Sequence, residues 1–359
     1  MSAGELAELL GLAAQRSASD LHLVAGQRPV VRVHGALTTL EEWPELEAER
    51  LLAYLAQMTT PAEQQEFTGG RELDFRFQLP GVAFLRGNAA WQQGAPYLTL
   101  RLLPTRLLTL AELELPPICA DLALRPRGLI VIAGPANSGK STTLAAMVEH
   151  INSQAARRIV TVEDPIEYVF TSRRSLIVQR EVGRDTASFA RALRAVLRQD
   201  PDVLLVGEMR DAETMAAALT AAETGHLVLT TVHAPSAPQA VDRILDVFPP
   251  HQQAQVRSQL AAVLEAVLYQ ALLPRCDGRG RTVAVEVLLG TTPVRALIRE
   301  AKGHQLPNAL FTGAAEGMCT LNQALAALCR RGVVAPDRAA AASPAPGELE
   351  RLLGARTGV

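Results

Sequence analysis

Gly134-Pro-Ala-Asn-Ser-Gly-Lys-Ser141 fits the spacing G-x-x-x-x-G-K-[ST] of a phosphate-binding loop. Before it, Gly128-Leu-Ile-Val-Ile-Ala133 reads as a short buried strand, and after it Leu144, Met147, Val148 and Ile151 recur at helical spacing. A strand, a glycine-bearing loop and a helix, in that order, are the context such a motif needs. Backbone N–H groups and the positive helix end can then wrap a polyphosphate. The residues placed around it are Gly134, Pro135, Ala136, Asn137, Ser138, Gly139, Lys140, Ser141 and Thr142. Lys140 reaches the β and γ oxygens, and the Ser141 hydroxyl holds Mg²⁺. The stretch predicts an ATP or GTP site in a P-loop α/β domain.

A chain of 359 residues is long enough for two domains with separate cores. Hydrophobic residues make up 48% and aromatics only 4%, so the cores are built of Leu, Val, Ile and Ala. Lys+Arg 35 against Asp+Glu 37 leaves a net charge of −2, which argues against an electrostatic nucleic-acid binder. Cys119, Cys276, Cys319 and Cys329 are scattered without a C-x-x-C pair, so neither a disulfide framework nor a zinc site is expected. Glu5 and Glu8 interrupt the first apolar stretch, so no signal peptide is read there. The apolar run Leu260–Leu273 is too short for a transmembrane span and carries Glu265 and Gln270. A cytoplasmic protein is expected, able to dock on a membrane machine.

Outward from the loop, residues 1–108 read as a small α+β domain. Ser2 and Glu5 can form a capping box, after which Leu6, Leu9, Leu10 and Ala13 share one helical face. Leu73, Phe75, Phe77 and Leu79 alternate with polar residues, as in a half-buried strand. Residues 109–118 form a connector in a stretch broken by Pro104, Pro116 and Pro117. Residues 119–290 alternate strands (128–133, 159–163, 203–206, 227–231, 282–289) with helices, as a sheet covered on both faces does. Residues 291–359 are helical, with an Ala/Pro-rich loose linker over 335–347 before a last short helix.

Ligands of open α/β sheets sit at the carboxyl ends of the strands, so acids and cations there are the candidates. Ile159–Val162 runs into Glu163, and Val203–Val206 runs into Gly207-Glu208. Glu208 is expected to hold Mg²⁺ through water, and Glu163 to act on the attacking water. Asp211, heading the helix from Ala212, suits a helix cap as well as a catalytic role. His233 ends the strand from Leu227, where it can sense a γ-phosphate, and His226 precedes that strand.

Four stretches now carry a resemblance. They are Gly134–Thr143, Thr161–Tyr168, Asp200–Asp211 and Ala221–His233, which resemble the Walker A, Asp, Walker B and His boxes of the secretion/pilus ATPases, in order. Within them the chain is most similar to the PilT-type pilus retraction ATPases. Ser19-Asp-Leu-His-Leu23 is similar to the start of their N-terminal domain, and Pro293-Val-Arg-Ala-Leu-Ile-Arg-Glu300 to a signature of their C-terminal helices.

The resemblance implies a homohexamer, with an N-terminal PAS-like domain before a RecA-like motor domain and ATP with Mg²⁺ bound between the two. It implies a place at the inner-membrane pilus base, on a platform protein, with a paralogous motor ATPase as a further partner. It makes Glu163 the catalytic glutamate, Glu208 the Walker B acid, and His226 and His233 members of the His box. It also makes Arg86 and Arg101 candidate arginine fingers; the alternation of Leu98, Leu100 and Leu102 puts Arg101 on the face opposite the apolar one. The function implied is ATP-driven retraction, with a pilus-assembly or secretion motor, or an accessory nucleotide-binding ring, as alternatives. The chain departs from the family where Ala136 and Asn137 replace Thr and Gly in the loop. If that position has positive φ, asparagine is among the least costly replacements. Pro293 and Ala296 depart from the helix signature.

Overall fold

A computed structural model describes residues 3–354 apart from His34, Arg71, Gly81, Pro104, Thr105 and Arg279. Two expectations above, the Ser2 cap and the break at Pro104, lie outside the described residues. The chain forms two compact units: Met1–Arg106 with Glu167–Val169, and Leu107–Ile166 with Phe170–Val359.

The first unit opens with helix α1 (Ala3–Gln15), then strands β1 (Asp20–Val24), β2 (Val30–Val33) and β3 (Ala36–Thr39). Helices α2 (Ala48–Met58) and α3 (Pro61–Thr68) lead to β4 (Leu73–Leu79), β5 (Ala83–Gln92) and β6 (Ala95–Leu103). The six strands form one antiparallel sheet in the order β3-β2-β1-β6-β5-β4. Period-two alternation turns Leu21, Leu23, Val31, Leu85, Leu98 and Leu100 onto one face, all fully buried. Leu6, Leu9, Leu10 and Ala13 of α1 join that core, the stripe their spacing predicts. Thr60 and Glu63 close a capping box at α3, with Pro61 at its first position.

The second unit begins with α4 (Ile118–Ala123), β7 (Gly128–Ala133), α5 (Lys140–Gln154), β8 (Arg158–Glu163) and β9 (Leu176–Glu181). It continues through α6 (Phe189–Val196), β10 (Val203–Val206), α7 (Ala212–Glu223), β11 (Leu227–Val232), α8 (Ala237–Asp246) and α9 (Pro250–Val263). The hairpin β12 (Leu264–Pro274) and β13 (Arg281–Leu289) follows. The sheet order is β13-β12-β7-β11-β10-β8-β9, parallel throughout except for β13 against β12. In β7, Leu129, Val131 and Ala133 enter a core shared with α6 to α9, while Ile130 and Ile132 enter one shared with α4 and α5. Both faces are covered, so these strands read as continuous apolar runs.

After β13 come α10 (Thr292–Arg299), α11 (Leu306–Thr312), α12 (Leu321–Arg330), α13 (Pro336–Ala342) and α14 (Pro346–Gly354). The stretch expected to be a loose linker is therefore folded: α13 occupies 336–342, and Ala339 is fully buried beside Leu325 and Leu349. Its prolines explain the misreading. Pro336 and Pro346 each stand in the first turn of a helix, where proline is favoured, and alanine is the best helix former between them. Arg275 and Arg331 both pair with Glu114, at 2.9 and 2.8 Å, which anchors the connector to the hairpin and the end of α12.

Candidate nucleotide site

Because β7, β8, β10 and β11 are parallel, their carboxyl ends lie along one edge of the sheet, and each delivers a predicted residue there. From β7 comes the loop Gly134–Gly139, from β8 Glu163, from β10 Gly207-Glu208, and from β11 His233.

The loop's shape follows from three residues with positive φ: Gly134 (+150°), Asn137 (+60°) and Gly139 (+89°). A Cβ on Gly134 would lie 2.5 Å from Ser138 Oγ and 2.8 Å from the Gln270 carbonyl oxygen, so only glycine fits. Asn137 meets the condition set by its sequence, since asparagine tolerates the left-handed region better than other non-glycine residues. Asn137→Gly is thus expected to leave nucleotide turnover within about twofold of the parent, because glycine takes the same φ. A drop of tenfold or more in steady-state hydrolysis would instead assign the asparagine side chain a role of its own.

At the head of α5, Gly139 offers no side-chain cap, whereas Ser188, Asp211, Ser236 and Thr320 accept backbone hydrogen bonds at the heads of α6, α7, α8 and α12. The first N–H groups of α5 therefore face the loop, as anion binding requires. Lys140 Nζ donates to the carbonyls of Gly134 (3.1 Å) and Pro135 (2.7 Å), which places its charge over the loop. Ser141 is exposed at the mouth.

Glu163 is buried, and its Oε1 accepts from Thr161 Oγ1 at 2.6 Å and from Gln179 Nε2 at 3.2 Å. Glu208 pairs with Arg210 at 2.7 Å. The Thr231 hydroxyl donates to the Gly207 carbonyl at 2.7 Å, and Gly207 N–H donates to Val162 O at 2.8 Å, so the ends of β8, β10 and β11 are stitched together. His233 keeps a solvent-exposed side. Partial desolvation, then the Lys140 charge, holds its imidazole below the ordinary histidine range, against the opposing pull of Glu208. That shift favours the neutral imidazole, which donates one hydrogen bond from one ring nitrogen and accepts one at the other.

Two expectations part here. Asp211 is a helix cap: Oδ1 accepts from Thr214 N and Oδ2 from Thr214 Oγ1, both at 2.8 Å. His226 does not join the cluster within one chain. It precedes β11, a strand of six residues, and so stands about 20 Å from the loop at the opposite edge of the sheet. Its Nδ1 lies 2.9 Å from Ala221 O and 3.2 Å from Thr224 Oγ1, where it closes the turn after α7.

Arg86 and Arg101 belong to the other unit, where they are direct cross-strand partners on β5 and β6. Both occupy the face opposite that unit's core, and Asp20 Oδ1 accepts from Arg101 Nε at 3.0 Å, orienting a largely exposed guanidinium.

Sequence reasoning missed the residues that support the site. Thr161 and Gln179 hold Glu163. Gln270, fully buried on β12, donates to Thr143 Oγ1 at 2.7 Å. Its signal was present: a lone amide inside the apolar run 260–273 marks a polar partner opposite.

The signature helix α10 buries Val294 and Ile298. Arg295 donates to the carbonyls of Gly290 (2.5 Å), Ala261 (3.1 Å) and Ala262, and pairs with Glu265 at 2.8 Å. It therefore fastens α10 to the end of α9 and the start of β12. Arg295→Ala is expected to cost about 1–3 kcal/mol by removing donors from the Gly290, Ala261 and Ala262 carbonyls and leaving Glu265, among the described residues, with Arg125 alone, at 3.7 Å, read as a lower Tm in thermal unfolding; an unchanged Tm would show the contacts to be dispensable.

Comparison with known proteins places this geometry. Residues 6–323 match the family model described as type II/IV secretion system protein. The type IV pilus retraction ATPase PilT of Pseudomonas aeruginosa is 44% identical over 335 residues, covering 93% of this chain and 97% of that one. The type IV pilus ATPase PilU of the same organism is 37% identical over 349 residues, covering 97% of this chain and 91% of that one. A crystal structure of the pilus retraction motor PilT with bound ADP superposes with a TM-score of 0.88 at 43% identity, covering 96% of this chain and 98% of that one.

Proposed function

The chain belongs to the type II/IV secretion system protein family, and we propose that it is a homohexameric ATPase motor that drives retraction of type IV pili. The observation carrying this reading is the convergence of the uncapped α5 loop, Glu163, Glu208 and His233 at one sheet edge. It occurs in a chain 44% identical to a retraction ATPase across nearly its full length.

In this reading the loop amides and Lys140 hold the phosphates. Ser141 and Glu208 offer the oxygen ligands that suit Mg²⁺, which would neutralise phosphate charge when bound. Glu163 polarises the attacking water, and its two donors, Thr161 and Gln179, fix the carboxylate that does so. Neutral His233 hydrogen-bonds the γ-phosphate. Arg86 and Arg101, cross-strand partners in the N-terminal unit, are the candidate arginine fingers. The ring docks on a platform protein at the inner membrane; no helix among the described residues is long and apolar enough to cross a membrane.

The alternative of an accessory ring rested on the altered loop. Asn137 at φ +60° takes a backbone conformation that glycine would also take, so the replacement by itself is no obstacle to turnover. Mass determination and steady-state phosphate release of the purified protein with Mg²⁺ and ATP test it. A hexamer with turnover well above a Glu163→Gln control is expected, and a ring without turnover would favour the accessory role.

A further inference from the structure

Glu286 lies on β13, almost fully buried, and takes no part in the site above. Its two oxygens face two different helices. Oε1 accepts from the N–H of Ala237, the first residue of α8, at 2.7 Å, and Oε2 accepts from the N–H of Leu321, the first residue of α12, at 3.2 Å. Both helices already have their own caps, Ser236 Oγ for α8 and Thr320 Oγ1 for α12. The carboxylate is therefore additional to ordinary capping. It takes the N–H groups that such caps leave over, and a negative charge between two positive helix ends is electrostatically favoured.

What those helices carry gives the arrangement its meaning. Only Ala234, Pro235 and Ser236 separate His233 from α8, so Glu286 fixes the far end of the segment bearing the phosphate-sensing histidine. On the other side, Cys319 exchanges both backbone hydrogen bonds with Val287, at 2.8 and 3.1 Å, so the lead into α12 is held along β13 next to Glu286. The far end of α12 reaches the connector through Arg331 and Glu114. Burial pushes the Glu286 carboxyl up, against the pull of the two N–H donors.

We propose that Glu286 is a positioning residue that couples the His233 segment to α12, so that nucleotide at the loop is felt by the C-terminal helices. This rests on the reading that the loop binds nucleotide and His233 senses it. A glutamine cannot replace the carboxylate. Its single oxygen can serve one helix, and its NH₂ then faces an N–H donor of the other.

Hydrogen–deuterium exchange of the intact protein, with and without Mg²⁺ and a non-hydrolysable ATP analogue, tests the coupling alongside a direct titration of the analogue. In the wild-type protein the analogue is expected to slow exchange at the first turns of α8 and α12 together, by about tenfold. In Glu286→Gln the affinity for the analogue is expected to stay within about twofold, while one helix loses its response and kcat falls several-fold. A residue that merely supported the fold would lower Tm and leave both responses intact. The proposal is overturned if α12 of the wild type does not respond to analogue shown to be bound, a measurement that needs no variant to fold. It is equally overturned if Glu286→Gln keeps both responses. Failure of the analogue to bind the wild type would instead remove the nucleotide reading, and this proposal with it.

Discussion

Lys140→Ala is expected to weaken ATP binding by roughly 100-fold or more, since a charged hydrogen bond contributes about 1.5–3 kcal/mol and in the proposed site the ammonium would meet two phosphate groups. Titration with a fluorescent nucleotide reads the effect. In the structure Lys140 Nζ also donates to the Gly134 and Pro135 carbonyls, so removing it loosens the loop as well as deleting the charge. Both consequences act at the same place, and far-ultraviolet circular dichroism separates them from unfolding. Unchanged affinity in a folded variant would mean that the loop is not the nucleotide site, whatever its spacing.

Glu163→Gln is the second large effect, and it differs in kind. The amide is nearly the same size and keeps an oxygen that Thr161 Oγ1 and Gln179 Nε2 can still donate to, so the local structure is preserved. The negative charge that would polarise water is lost. A fall in kcat of about 10²–10⁴ is expected, the range of a positioned general base, with ATP affinity within a few-fold of the parent. An equal loss of affinity and turnover would make Glu163 a supporting residue at the end of β8. Single-turnover phosphate release distinguishes the two outcomes.

Much of this site was legible before any coordinates, for a physical reason. Parallel strands buried on both faces are continuous apolar runs, so β7, β8, β10 and β11 stood out, and whatever followed each had to emerge at one edge. Glu163, Glu208 and His233 follow from that rule, while Gly134–Ser141 is marked by its own G-x-x-x-x-G-K-[ST] spacing. The same logic separates His226: a residue preceding a strand emerges at the other edge, and box membership hid that distinction.

The hairpin strand β12 was not legible. Its run Leu260–Leu273 begins as the last turn of α9 and becomes a strand at Leu264, and an unbroken apolar stretch does not reveal that change of period. Gln270, Glu265 and the Arg295 clasp went unread with it. The fold of 335–347 was obscured by prolines that start helices as readily as they break them. Glu286 stands alone among apolar residues in 283–289, which marks a buried polar partner as Gln270 does, but the two helix ends it serves lie far apart in the chain and meet it only once the sheet brings them together.

If hydrolysis at this loop powers pilus retraction, imaging of fluorescently labelled pili in the source organism will show it. Cells lacking the chain, or carrying Glu163→Gln in its place, are predicted to extend pili and fail to retract them, while the wild-type chain restores retraction. Retraction at the normal rate in cells without the chain would mean that this ATPase does not power it.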